Sequence, residues 1–378
     1  MLPPVRRPVP LRAAGMRKPL EQAFDGWNVR VCGSGTQALA MALLDARARL
    51  AAPAPEVILP AYACPDLVTA SLFAGVRPKL VDTAAGGRWG YDLAALEKAL
   101  SPNCVAIVAV NLLGTGDQAS ELSALAAARA IPLIQDSAQH LPQRLPAPWL
   151  GDYVVLSFGR GKPLNLLGGG ALLHRPDRVA AMASLQSQPM RSSRLEVLKG
   201  AAFNLATHPM AYGLARRLMG SSVGGTYYKP LSGLVMADAA KVTAVEHALA
   251  GYAIDPGYDA EVWSAVCATW ASGGLEVLSC ATQNIPDSVR LRLGMMAPDV
   301  QTRDAIVAGL DARGLGATAM YGTTLDKLAG IPPEVARQGP FPNATDLAQR
   351  LFTLPTHSRV GAAALRQTQA LVDGLLRH

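Results

Sequence analysis

The stretch with most chemical content runs Ser157-Phe158-Gly159-Arg160-Gly161-Lys162 and on to Gly168-Gly169-Gly170. It follows the apolar run Tyr153 to Phe158, so it reads as strand, loop, Gly-rich turn and strand. A hydroxyl at the end of a strand, Ser157, can reach a phosphate. A lysine five residues later, on a loop beside that phosphate, can form an imine with an aldehyde, since a desolvated amine is a nucleophile. The glycines let the backbone pass close to a flat ring. A single loop lysine is ordinarily just solvated, and it is the combination that points to chemistry. A second stretch, Ile131 to His140, places Asp136 where an apolar strand runs out. A carboxylate there either caps the following turn or holds a pyridine nitrogen protonated, which makes such a ring an electron sink. A third, Ser34-Gly35-Thr36, precedes an Ala/Leu/Met-rich segment. Free amides at a helix start suit a phosphate, and Ser and Thr also sit there simply as caps.

Elements that could position these groups are legible on either side. Apolar runs at Val57–Leu59, Arg77–Val81, Val105–Val110, Ile131–Ile134, Tyr153–Phe158 and Ala171–Leu173 show no polar alternation, as strands covered on both faces do. Helical patterns at Thr36–Leu50, Pro65–Ala74, Leu93–Leu100 and Ala119–Ala130 alternate with them. The repetition predicts an open α/β sheet, mostly parallel and covered by helices. Residues 178–220 read as helices without a strand, the last at Met210–Met219, before a Gly-rich break at Gly220–Gly225. Helices at Met236–Tyr252 and Ala260–Ala271 follow. The last third reads as α+β: strand Arg290–Met295, helix Thr302–Arg313, strand Gly316–Tyr321, helix Ala344–Phe352 and closing helix Ala362–Leu376. This gives a basic N-terminal segment (1–25), a large α/β domain (26–250) and a smaller C-terminal α+β domain (251–378).

Bulk properties restrict the function. Of 378 residues, 50% are hydrophobic and 17% charged, enough apolar content for a large core and against wholesale disorder. The net charge of +7 favours anionic small molecules. The basic residues are scattered and not interleaved with aromatics, so a nucleic acid partner is not expected. Five widely spaced cysteines with no Cys-x-x-Cys and no metal-ligand spacing predict free thiols, a reducing compartment and no metal. The Pro/Arg-rich start lacks the apolar core of a signal peptide, and no apolar run approaches the ~18 residues that span a bilayer. A cytoplasmic protein is expected.

In their order and spacing, the three stretches resemble the DegT/DnrJ/EryC1/StrS family of fold-type-I pyridoxal-phosphate enzymes, best known as sugar aminotransferases. The likeness covers Val31 to Leu173 and returns at Phe341-Pro342-Asn343-Ala344 and Leu351-Phe352-Thr353-Leu354-Pro355-Thr356-His357. It implies that Lys162 carries pyridoxal 5'-phosphate (PLP, or PMP when aminated) and shuttles the proton. By the same resemblance Asp136 pairs with the pyridine nitrogen, Gln139 contacts the ring's phenolic oxygen, and Gly35, Thr36 and Ser157 hold the phosphate. A homodimer with a shared active site is also implied.

The departures bear on substrate. Where the family stacks an aromatic on the ring, this chain has Cys64, which either packs on the ring face or is a buried structural thiol. The partner-subunit asparagine is missing near Tyr227-Tyr228-Lys229-Pro230, where Lys229 is either a replacement phosphate ligand or a surface lysine. Met320-Tyr321 lacks the histidine that often precedes the tyrosine in sugar-processing members. The expected reaction is therefore amino transfer from an amino acid, such as glutamate, to the keto group of a nucleotide-linked sugar. One alternative is a non-sugar ketone or aldehyde in secondary metabolism or envelope biosynthesis, and another is a non-catalytic cofactor-binding regulator or scaffold. Finally, Leu195 to Leu218 has an apolar face flanked by Arg194, Lys199, Arg216 and Arg217. Such a helix packs on its own domain or lies on a membrane surface.

Overall fold

The structure, a computed structural model, describes residues 9–10, 19–142, 145–178, 188–189, 195–208, 211–212, 226–252, 260–282, 291–357 and 360–377. Its strands are β1 (Asn28–Cys32), β2 (Glu56–Pro60), β3 (Arg77–Val81), β4 (Cys104–Val110), β5 (Leu133–Asp136), β6 (Tyr153–Ser157), β7 (Gly170–His174), β8 (Gln188–Pro189), β9 (Val235–Met236), β10 (Glu276–Val277), β11 (Arg292–Met296) and β12 (Leu351–Pro355). The helices that matter below are α1 (Gly35–Leu50), α2 (Asp66–Phe73), α3 (Leu195–Ala206), α4 (Ala239–Tyr252), α5 (Ala260–Trp270), α6 (Val300–Ala312), α7 (Pro342–Arg350) and α8 (Ala362–Leu375).

Nine strands form one sheet in the order β3-β2-β4-β5-β6-β7-β1-β9-β8. From β3 to β6 all pairings are parallel, and β7 turns back antiparallel between β6 and β1. Strand β4 (Cys-Val-Ala-Ile-Val-Ala-Val) is buried at every position, because helices cover both faces and a polar residue would find water on neither. Edge strand β3 reads differently. It contains Pro78, which cannot donate to a neighbour, and charged Arg77 and Lys79, both paired with Glu56 of β2. On its open side the Gln338 side chain accepts from Leu80 N–H (2.8 Å) and donates to the Pro78 carbonyl (2.8 Å). Asp82, just past β3, then caps α7 by accepting from the amides of Asn343 and Ala344 (3.1 and 2.7 Å).

Strands β10, β11 and β12 form a second, antiparallel sheet. With α5, α6 and α8 it encloses its own core around Trp270, Met295, Ile306, Leu310 and Phe352. Val335, Phe341, Ala344 and Leu347 pack instead into the core of the large sheet, beside Leu59 and Val108.

Four expectations need correction. Residues 344–352 are not one helix, since α7 stops at Arg350 and Leu351-Phe352 open β12, fully buried between β11 and the core. Gly316–Tyr321 is not a strand: only Thr318 bridges Thr353, and the chain then turns, with Met320 at φ +55°. Residues 178–220 are not without a strand, since β8 pairs β9 there. Helix α4 also starts at Ala239 and not at Met236, which belongs to β9. Met210–Met219, Gly220–Gly225, Arg194, Arg216 and Arg217 lie outside the described residues, apart from 211–212, which are helical. Within α3, Leu198 and Leu205 are 64% and 70% exposed. Among the described residues no helix is long and apolar enough to cross a membrane, and no group of His, Cys, Asp and Glu could hold a metal.

Candidate functional site

Parallel strands β4, β5 and β6 end side by side, and a cavity of about 290 Å³ lies beyond their carboxyl ends. This is where open α/β sheets bind ligands. Gly35, Thr36, Cys64, Asp136, Gln139, Ser157 and Lys162 all line it. Lys229 does not: its side chain is exposed, and its backbone carbonyl accepts from Thr69 Oγ1 (2.9 Å) at α2.

The corner where α1 meets β6 and β7 follows from local sequence. Ser34 caps α1, its hydroxyl accepting from Gln37 N–H (3.2 Å), while the Gln37 side-chain oxygen accepts from Gly33 and Val235 N–H (3.2 and 2.9 Å). The Ser-x-x-Gln spacing is that of a capping box. It occupies the Ser34 hydroxyl and leaves the amides of Gly35 and Thr36 without an acceptor inside the helix, at the positive end of its dipole. Close packing brings this turn against β6 and β7. A Cβ on Gly35 would lie 2.9 Å from Ser157 Cβ, and one on Gly170 would lie 2.4–2.6 Å from the backbone of Ser34 and Gly35. Two glycines thus allow the helix start and the Ser157 hydroxyl to converge.

Lys162 leaves a tight turn. Its N–H donates to the Gly159 carbonyl (3.2 Å), and Gly161 in the third position has φ +74°, the conformation that turn demands of a glycine. The loop closes where the Phe158 carbonyl accepts from Leu166 and Gly168 N–H (2.9 and 3.2 Å).

Asp136 ends β5 and is buried, with Oδ1 accepting from Ala138 N–H (2.9 Å). Burial raises its pKa above the usual carboxylate value, and the Ala138 amide and the Lys162 charge partly oppose that. A cationic partner for the remaining oxygen would relieve the burial penalty. Gln139 is fixed at both ends of its amide. Oε1 accepts from Leu113 N–H (3.1 Å), and Nε2 donates to Tyr321 Oη (2.7 Å). Tyr321 lines the same cavity and leans on Tyr62, ring centroids 5.4 Å apart. Its pKa lies well above the ordinary phenol value, chiefly through burial, so the hydroxyl keeps its proton. Burial, with Asp66 adding to it, pushes the Cys64 thiol up to about 12. A protonated thiol is a packing group and not a nucleophile.

Sequence reasoning missed Asp66, Asn111 and Arg160, which also line the cavity, and noted Tyr321 only for what precedes it. The one signal for Arg160 was its place between two glycines, two residues before Lys162.

Known proteins bear on these features at two levels. Residues 24–216 match the DegT/DnrJ/EryC1/StrS aminotransferase family, and the chain belongs to that family. It is similar to UDP-N-acetyl-3-dehydro-alpha-D-glucosamine 3-aminotransferase of Acidithiobacillus ferrooxidans, 31% identical over 149 residues, covering 39% of this chain and 39% of that protein. It is likewise similar to UDP-2-acetamido-2-deoxy-3-oxo-D-glucuronate aminotransferase of Pseudomonas aeruginosa, 29% identical over 153 residues, covering 39% of this chain and 42% of that one. The chain thus spans about two-fifths of the length of the curated relatives it matches. Among solved structures it resembles NtdA of Bacillus subtilis with bound cofactor PMP, with TM-score 0.68, 15% identity, and coverage of 95% of this chain and 75% of that one. An aminotransferase of Psychrobacter cryohalolentis gives TM-score 0.67, 17% identity, and coverage of 95% and 89%. The fold is the type I aminotransferase architecture anticipated from the sequence.

Proposed function

We propose that this protein is a PLP-dependent aminotransferase that moves an amino group from an amino acid, glutamate in the first instance, to the keto group of a nucleotide-linked sugar. One observation carries the reading. Lys162, the buried carboxylate of Asp136 and the open amides of α1 beside Ser157 line a single cavity at the ends of three parallel strands. The residues suit the cofactor: two glycines let the start of α1 converge with the Ser157 hydroxyl, and Asp136 stands as a buried carboxylate in need of a cation. The names of the two curated relatives, both nucleotide-sugar aminotransferases, support the substrate class.

Bound PLP supplies an aldehyde to join to an amine and a ring that accepts electrons. The chain's own residues do the rest. Gly35, Thr36 and Ser157 would anchor the phosphate, and Asp136 would keep the ring nitrogen protonated. Gln139, fixed between Leu113 and Tyr321, would serve the phenolic oxygen. Lys162, lining the same cavity, would hold the aldehyde end of the cofactor, and its amine is the base placed to move the donor's α-proton. Cys64 would offer an uncharged packing group to the ring. We further propose a cytoplasmic homodimer in which Lys229, exposed in one chain, reaches the phosphate of its partner.

A non-sugar ketone or aldehyde is the second reading, favoured by Cys64 and by Met320 ahead of Tyr321. The test is reconstitution with PLP, borohydride reduction and peptide mapping, followed by glutamate with 3-keto nucleotide sugars or simple ketones. A label on Lys162 and turnover of the sugars are expected. A label on Lys199 or Lys229 would remove the site assignment, and turnover of simple ketones alone would move the substrate.

A further inference from the structure

We infer that Arg160 is the specificity residue that receives the α-carboxylate of the amino donor, an inference that rests on Lys162 being the cofactor lysine. Among the described residues, the cations lining the cavity are Arg160 and Lys162. On the proposed reading Lys162 serves the aldehyde, Asp136 faces the ring nitrogen, and the α1 amides with Ser157 face the phosphate. An amino-acid donor also brings a carboxylate on the very carbon that loses its proton. That carboxylate must lie within a side chain's length of Lys162, in a cavity that already holds the carboxylates of Asp66 and Asp136. It needs a cation, and among the described residues that line the cavity Arg160 is the one still uncommitted.

Its surroundings fit the task. Arg160 and Lys162 leave the same turn, at its second and fourth positions, so both side chains serve one cavity. The Arg160 guanidinium makes no hydrogen bond or ion pair with any described residue. Both sequence neighbours are glycines, and a Cβ at Gly161 would meet nothing within 4 Å. A guanidinium binds a carboxylate through two parallel N–H donors, which fixes orientation as well as charge. Orientation matters here, because the α-hydrogen must point at Lys162. The same guanidinium would also suit the diphosphate of a nucleotide-linked substrate, and the test separates the two anions.

The experiment uses PLP-loaded protein, with borohydride labelling of Lys162 as the independent check on the underlying reading. Two probes share one skeleton and lack an α-hydrogen: 2-aminoisobutyrate, with the carboxylate, and 2-aminoisobutyramide, without it. Binding of each is followed through the cofactor's visible absorbance. The wild type should prefer the acid by about 10- to 100-fold, the range of a charge-assisted hydrogen-bonded pair. Arg160→Gln should bring the ratio close to one while Lys162 still takes the label, and Arg160→Lys should restore part of it. An Arg160→Gln protein that keeps the acid-over-amide ratio overturns the inference, as does one that loses affinity only for uridine diphosphate. Loss of the Lys162 label in the wild type would instead overturn the reading on which it stands.

Discussion

Gly170→Ala is the sharpest test of how the anion corner is built. Gly170 pairs with Cys32 of β1 on one side and Ser157 of β6 on the other, in the middle of three antiparallel strands. An alanine Cβ would stand 2.4 Å from the Ser34 carbonyl carbon and 2.5 Å from Gly35 N, all of it backbone. Carbon contacts relax near 3.5 Å, so the helix start and β7 must part by about 1 Å. Strand β7 is held by five register pairs on each side, so the first turn of α1 is what moves. Overpacking of this kind costs about 1–3 kcal/mol of stability. The larger effect is local, because the Gly35 and Thr36 amides withdraw from Ser157. Losing one charge-assisted contact to a phosphate weakens binding by about 10- to 100-fold. Gly168→Ala is the control, since a Cβ there meets nothing within 4 Å. Equilibrium dialysis of PLP and urea denaturation should show Gly170→Ala impaired in both and Gly168→Ala close to wild type. Wild-type cofactor affinity in Gly170→Ala would refute the argument that this approach forms the phosphate corner.

Asp136→Asn should retain much of the cofactor yet lose turnover by about 10³-fold or more, because an amide cannot keep the ring nitrogen protonated; single-turnover absorbance measures this, and near-wild-type rates would exclude the pairing. His174, buried at the end of β7 with Nδ1 3.0 Å from the Arg175 carbonyl, has its pKa lowered chiefly by burial. Its folded pKa lies below its unfolded one, so its stabilisation is complete above the unfolded value of about 6.5 and is lost as pH falls through that range. Denaturation midpoints between pH 5 and 8 should fall on acidification less steeply in His174→Gln than in wild type, and equal slopes would count against it. If Lys229 serves a partner's phosphate, Lys229→Ala should raise the dissociation constant of PLP about tenfold or more; unchanged affinity, or a monomer in sedimentation, would rule out the shared site.

Much of the large sheet was legible because burial on both faces leaves an unbroken apolar record, as in β4 and β6. Strand β1 left none, since Arg30 and Asn28 interrupt it and its partner β7 lies some 140 residues on. Strand β12 was absorbed into the preceding helix because Leu351 and Phe352 continue that helix's apolar spacing, and only pairing with β11 separates the two. At the site, the groups on one strand–loop–turn unit could be read together because the sequence itself juxtaposes them. The link from Gln139 to Tyr321 spans 182 residues and has no local signature. Arg160 and Asp66 were passed over because an exposed charge looks the same in a sequence whether it faces solvent or a cavity.

The clasp of Gln338 on β3 has a consequence for biosynthesis. The side chain that satisfies Pro78 and Leu80 lies 260 and 258 residues further along the chain. At about 5–20 residues per second, a ribosome takes on the order of 10–50 s to deliver it. Through that interval the nascent sheet presents an open row of peptide groups, guarded by little beyond Arg77, Pro78 and Lys79. Chains released before residue 338 would keep that row open permanently. Truncation near residue 330 should therefore yield insoluble protein even though every strand of the nine-stranded sheet is present.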